Sequence, residues 1–278
     1  MVEISGDFCY RRSPCFFREA KEVEKDMQEK KKFPKGLYTV LMLICIVVFL
    51  FALYKVVGIV LDYKEIDDYY DAAEEEFVEA DDHGVIRYVD LAKLVAMNKD
   101  IKGWIYIKDT DISYPILQGQ DNSYYLNRTY EKEWLLAGSI FMDYKNTSDY
   151  SDAHTVIYGH NMHNGAMFGT LDKFAKEEYR DQHPYVYIMK TDGNWDKFEI
   201  YSCYTADVED GTFDIFKEGQ GAYDNYVRLT TSKNYYKETA APENGERILT
   251  LSTCTEDSDD FKRFVLQCKY LETVEKID

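Results

Sequence analysis

The chain is 278 residues long, enough for one catalytic domain of about 200 residues with accessory segments. Its formal net charge of −18 opposes a phosphate backbone and excludes nucleic acid as a partner. Tyrosine, with 25 residues, dominates the aromatic content and suits a β-rich core.

Residues 1–36 are polar, charged and weakly patterned, and read as a cytoplasmic tail. An uncharged stretch runs from Leu37 to Tyr54, and the apolar run resumes after Lys55 through Leu61. Residues 37–61 are therefore expected to form a transmembrane anchor, since about 20 apolar residues span a bilayer core. A buried core helix is rarely so uniformly apolar. A cleaved signal peptide would have a shorter apolar region and a clear small-residue cleavage site. Lys30, Lys31, Lys32 and Lys35 precede the span. The excess of cations puts the N-terminus in the cytoplasm and the rest of the chain outside, a single-pass protein of the cell membrane.

Residues 62–100 are expected to be a helical segment that opens the extracellular domain. Asp62 to Asp82 is acidic, but Ile66, Tyr70, Ala73 and Phe77 recur at helical spacing, so the charge is the solvated face of an amphipathic helix. Asp90 can cap a second short helix carrying Leu91, Leu94 and Val95. From Ile101 the pattern changes to short apolar strands between turns: 104–107, 112–117, 139–142, 155–158, 185–189 and 198–204. Asp192-Gly193-Asn194 is a hairpin turn between the last two. Gln220 to Ser232 reads as a helix inserted late, before two closing strands, Arg247–Thr253 and Arg263–Leu271. Many short strands and few helices make residues 101–278 a closed or nearly closed β-barrel with helical additions.

Six cysteines are present: Cys9, Cys15, Cys45, Cys203, Cys254 and Cys268. The first two fall in the tail and Cys45 in the span. The odd number left outside points to a reactive thiol. Cys203 and Cys268 lie in apolar runs and read as buried small hydrophobes. Cys254 ends the strand Leu249-Thr250-Leu251-Ser252-Thr253-Cys254, and polar residues follow at once, so a substrate can reach it. A nucleophilic cysteine needs a partner that favours the thiolate. Among the histidines, His160 ends an apolar strand after Gly159 and is the candidate partner; His83, His154, His163 and His183 lie in polar surroundings and are expected in solvent. Arg263 opens the strand after Cys254, and a hairpin would bring its guanidinium beside the thiol, where it suits a developing oxyanion. His160, His163 and Cys254 are a weak zinc set, with no CxxC or further histidine cluster to support it. A papain-like enzyme would place its Cys ahead of its His, at the start of a helix; here His precedes Cys and Cys closes a strand.

These residues resemble the sortases, whose pattern is a strand ending Thr-Leu-any-Thr-Cys, an upstream His and an Arg on the next strand. Here they are Thr250 to Cys254, His160 and Arg263. The runs Asp121 to Leu126, Gly138 to Asp143 and Tyr158-Gly159-His160 resemble class B sortases, as do the N-terminal helices and the late helix. The resemblance covers roughly Ile101 to Leu271 and does not extend to the tail. It implies a mostly β protein, an eight-stranded sortase-type barrel with N-terminal helices and a late inserted helix, preceded by one transmembrane helix.

It further implies a cysteine transpeptidase. Cys254 would cleave a C-terminal sorting signal after Thr through a thioacyl enzyme, His160 would act as acid and base, and Arg263 would stabilise the oxyanion or hold the substrate backbone. Asn122 matches a position near the active site and is expected to help place His160. Leu126 and Ser252 match positions lining the signal-binding groove. The partners implied are surface proteins bearing a sorting signal and the amine of a peptidoglycan precursor, lipid II. No cofactor or metal is required, although some members respond to calcium. One departure stands out: Thr255-Glu256-Asp257-Ser258-Asp259-Asp260, directly after the Cys, is strongly acidic and should favour a basic residue in the signal. Two other readings remain: a pilus-assembling or sporulation-type sortase, and a degenerate sortase fold serving as a membrane-tethered binding module, which would have no need of a nucleophile.

Overall fold

The computed structural model describes residues 35–277 except 83, 217–219, 244 and 255–260, with the backbone alone at Lys35, Arg87, Gln220 and Cys254. The tail, Cys9, Cys15, His83 and the acidic run after Cys254 therefore lie outside the described residues. Two compact units divide between Ile59 and Val60.

Helix α1 spans Lys35–Phe77. Within the first unit its side chains are apolar and unburied, Phe49 being 65 % exposed, and mean hydropathy reaches 2.9. A helix this long and apolar suits membrane anchoring. In the second unit the same helix becomes amphipathic, and Ile66, Tyr70, Ala73 and Phe77 are all buried, as their spacing predicts.

The helix stops at Phe77, short of the expected Asp82. Val78–Ala80 (β1) pairs antiparallel with Ile86–Val89 (β2). Turn chemistry wins over helical spacing here: Asp81 accepts from the Val85 and Gly84 amides, and Gly84 takes φ +77. Helix α2 (Leu91–Met97) follows, with Asp90 accepting from Lys93 N at 3.0 Å as its cap.

The eight remaining strands are β3 (Ile101–Tyr106), β4 (Ser113–Leu117), β5 (Ile140–Met142), β6 (His154–Tyr158), β7 (Tyr185–Lys190), β8 (Trp195–Asp207), β9 (Ile248–Cys254) and β10 (Lys262–Val274). They close into a barrel in the order β10-β8-β7-β3-β4-β5-β6-β9. β4–β5 and β6–β9 are parallel pairs and the others antiparallel. Gly193, at φ +88, makes the β7–β8 hairpin turn expected from Asp192-Gly193-Asn194. Trp104, Trp195, Phe168 and Phe174 are fully buried in the core. Helix α3 (Glu177–Gln182) is additional, and helix α4 (Gln220–Ser232) has the bounds read from sequence, packing Tyr223 and Tyr226 on Tyr201 and Ile248.

Two readings of single residues divide. Cys203 and Cys268 are free and buried, as expected; burial pushes the Cys203 thiol up to about 11 and that of Cys268 well above its usual range. His154, expected in solvent, is 0 % exposed. It opens β6 and is sealed in by residues distant in sequence: Nδ1 donates to Asp214 O at 2.7 Å, and Nε2 lies 2.8 Å from Thr250 Oγ1 and 2.9 Å from Tyr226 OH. Of the remaining histidines described, His163 is exposed and His183 half-buried.

Candidate active site

Three adjoining strands, β6, β9 and β10, meet at one rim of the barrel. β6 runs parallel to β9, their last pair being Tyr158 and Ser252. His160 and Cys254 each stand two residues past that pair. β10 runs back along β9 from this rim, so Arg263 is the cross-strand partner of Cys254. A strand register thus brings His160 and Cys254, 94 positions apart in sequence, to one rim.

The chain packs closely just past β6. A side chain at Gly159 would meet the Phe168 ring at 2.7 Å and also strike Ile140, so only glycine fits. The Gly159 amide donates to Ser252 O at 3.1 Å, and Phe168 N to His160 O at 3.0 Å, fixing the backbone on both sides of the imidazole. His160 is half-buried, and its Nε2 lies 2.7 Å from the Leu126 carbonyl oxygen. A carbonyl only accepts, so Nε2 carries the proton and Nδ1 is the nitrogen left for exchange.

Leu126 sits on the 3-10 turn Tyr124–Asn127. Asp121 accepts there from the Ser123 hydroxyl and from the Ser123 and Tyr124 amides, which hold its carboxyl below the usual range. Asn122 faces the same groove, but its amide does not bond the His160 ring. Nδ2 donates to Asp143 Oδ2 at 2.7 Å and Oδ1 accepts from Tyr144 N at 3.0 Å. The buried Asp143 also accepts from Tyr158 OH at 3.0 Å. Burial first and Asp143 second keep Tyr158 protonated, with Arg263 pulling the other way.

These residues line one groove of about 350 Å³. Asn122, Leu126, His160, Ser252 and Arg263 are on its wall, so five of the six residues singled out from sequence share it. The sixth, Cys254, is the backbone neighbour of Thr253, which also lines it. Ser252 Oγ and Thr253 Oγ1 are buried and have no hydrogen-bond partner among the described residues. Phe141, Val208 and Phe213 complete an apolar wall that the sequence reading missed. The last two come from the connection after β8, and nothing local in the sequence marks them. Among the described residues no group of three or more His, Cys, Asp or Glu is placed to hold a metal ion.

An eight-stranded barrel with such a groove matches the Sortase domain family over residues 105–271. Sortase B of Listeria monocytogenes is 36 % identical over 181 residues, 65 % of this chain and 73 % of that protein. The crystal structure of sortase B from B. anthracis superposes with a TM-score of 0.65 at 31 % identity, covering 76 % of this chain and 99 % of that one. A Streptococcus pyogenes class B sortase involved in pilus biogenesis superposes with a TM-score of 0.60 at 30 % identity, covering 66 % and 98 %. The chain belongs to the sortase B family of cysteine transpeptidases.

Proposed function

We propose that the groove at the β6–β9–β10 rim binds the C-terminal sorting signal of a secreted protein, and that Cys254 cleaves it after Thr. The Cys254 sulfur attacks the Thr carbonyl carbon. The tetrahedral intermediate carries its negative charge on oxygen, where the Arg263 guanidinium stabilises it. Collapse breaks the peptide bond, and the imidazolium of His160 protonates the departing amine. A thioester to Cys254 remains. An amine of the peptidoglycan precursor lipid II then attacks it, His160 takes the proton, and the thiolate leaves. Peptide, thioester and amide interchange without redox change, so the sequence of steps calls on no cofactor. Asn122, Leu126 and Ser252 line the groove and hold the signal.

The observation that carries this reading is the register that pairs Arg263 with Cys254 beside His160. The apolar part of α1 supports an anchor at 37–61. With Lys30, Lys31, Lys32 and Lys35 ahead of it, residues 1–36 are cytoplasmic and both the helical segment 62–100 and the barrel 101–278 face outward.

The test uses the full chain in detergent with fluorogenic peptides carrying different signals, with and without an added amine. Cleavage that vanishes in Cys254→Ala, with a thioester adduct at Cys254 by mass spectrometry, is the expected result. Cleavage that survives in Cys254→Ala overturns the assignment of the nucleophile. A folded parent that binds peptides and cleaves none would be a binding module. The likeness to the S. pyogenes protein gives pilus assembly as a second reading; preference for a protein lysine over small peptidyl amines would favour it.

A further inference from the structure

Behind His160 lies a layer of polar contacts that the proposed chemistry does not use. The Leu126 carbonyl that holds Nε2 is backed by Gly138. Gly138 takes φ +55, and a side chain there would fall on the Leu126 backbone, 2.5 Å from its carbonyl carbon. Gly138 is itself held from α1. The Tyr70 hydroxyl donates to Gly138 O at 2.5 Å and lies 3.2 Å from Ser139 Oγ. Ser139 in turn ties down the turn that carries Leu126: its amide donates to Tyr125 O at 3.0 Å and its hydroxyl to Arg128 O at 2.7 Å.

A second tyrosine serves the other side. The Tyr114 ring packs edge-on against that of Tyr70, centroids 5.3 Å apart. Its hydroxyl accepts from Met167 N at 3.1 Å. Met167, at φ +56, precedes Phe168, whose amide bonds His160 O. Both tyrosines are buried. One hydroxyl therefore supports the segment that presents the imidazole's acceptor, and the other supports the segment that holds the imidazole's backbone.

We propose that Tyr70 and Tyr114 are positioning residues for His160, coupling helix α1 to the acid–base group. The inference rests on the reading of His160 given above. It makes the stretch of α1 around Tyr70 part of the catalytic apparatus, where the sequence reading saw only the buried face of an amphipathic helix. Burial pushes both phenols well above their usual range, so each stays a neutral hydroxyl. Tyr70→Phe keeps the ring and its packing and removes only the hydroxyl, with its bonds to Gly138 O and Ser139 Oγ.

The test compares the parent, Tyr70→Phe, Tyr114→Phe and His160→Ala as full chains in detergent. Steady-state cleavage is measured alongside melting temperature and the Nε2–H imidazole resonance, assigned as the histidine signal lost in His160→Ala. Misplacing a reacting group by an ångström costs up to about a hundredfold, so partial slackening in Tyr70→Phe should lower kcat by about tenfold and leave KM within about twofold. The Nε2–H signal should shift or broaden. Parental kcat and an unmoved resonance in Tyr70→Phe, with His160→Ala inactive, overturn the positioning role and leave the site assignment standing. Full activity in His160→Ala sinks the site assignment itself. Should Tyr70→Phe melt below assay temperature, the same readouts on Tyr114→Phe decide the matter.

Discussion

Arg263 and Cys254 are cross-strand partners at the rim of the barrel, on β10 and β9. Directly opposed residues on antiparallel strands hold their Cα atoms about 4.5–5.5 Å apart. Arg263 thus belongs to the same rigid ladder as the residue it is proposed to assist. Removing one donor to an oxyanion commonly costs about 10²–10³ in kcat. Arg263→Ala should lose activity on that scale with little change in melting temperature, because the side chain is only half-buried. Arg263→Lys restores charge without the planar fork and should recover part of the loss. Steady-state peptide cleavage measures both.

Gly159→Ala tests the close packing just before His160. The added methyl meets Phe168 at 2.7 and 2.8 Å and must move a packed ring. Overpacking of this kind costs about 1–3 kcal/mol. Thermal melts should show that loss, and kcat should fall further than stability explains. Gly221→Ala, where nothing lies within 4 Å, is the matching control and should leave activity at the parental level.

His154 gives the protein a pH signature separate from catalysis. Burial depresses its pKa from 6.5 to about 4, against smaller opposing contributions from Asp214 O, Asp143 and Asp152. The unfolded chain takes up this proton near pH 6.5 while the folded chain resists to about 4. The stabilisation is therefore complete above pH 6.5 and is lost as pH falls toward 4, on the order of 3 kcal/mol in all. Melting temperature against pH should fall less steeply over this window in His154→Gln than in the parent.

The acidic run after Cys254 predicts substrate preference. Reversing Glu256 and Asp257 to lysine should lower cleavage of peptides with a basic residue in the signal more than of matched glutamine peptides. A charge pair in solvent is worth up to about fivefold. Equal losses on the two peptides would refute an electrostatic reading of the signal.

The barrel strands were legible because each carries its own signal. Leu249 to Cys254 is an apolar β run that stops at polar residues, and Gln220 to Ser232 is helical by periodicity alone. The candidate site was legible because chemistry restricts which residue types serve. What escaped depends on contacts between distant segments. The hairpin of β1 and β2 rests on the Asp81 turn inside a helical pattern. His154 sits among polar residues in sequence and is sealed in by Tyr226 and Thr250 from far along the chain. Asn122 lies close to His160 in the groove, yet its bonds go to Asp143 and Tyr144, an allegiance that no spacing reveals.

The β6–β9–β10 rim has a consequence for how such an enzyme can change. The residues proposed for bond making stand at or just past the ends of hydrogen-bonded strands, whereas Val208 and Phe213 belong to the connection after β8. Connections tolerate insertion and replacement far better than ladders do. Evolution can therefore rewrite what the groove accepts without disturbing the groups that react. The same partition offers an engineering route, in which exchange of the segment after β8 retargets the protein and the reactive strands are left alone.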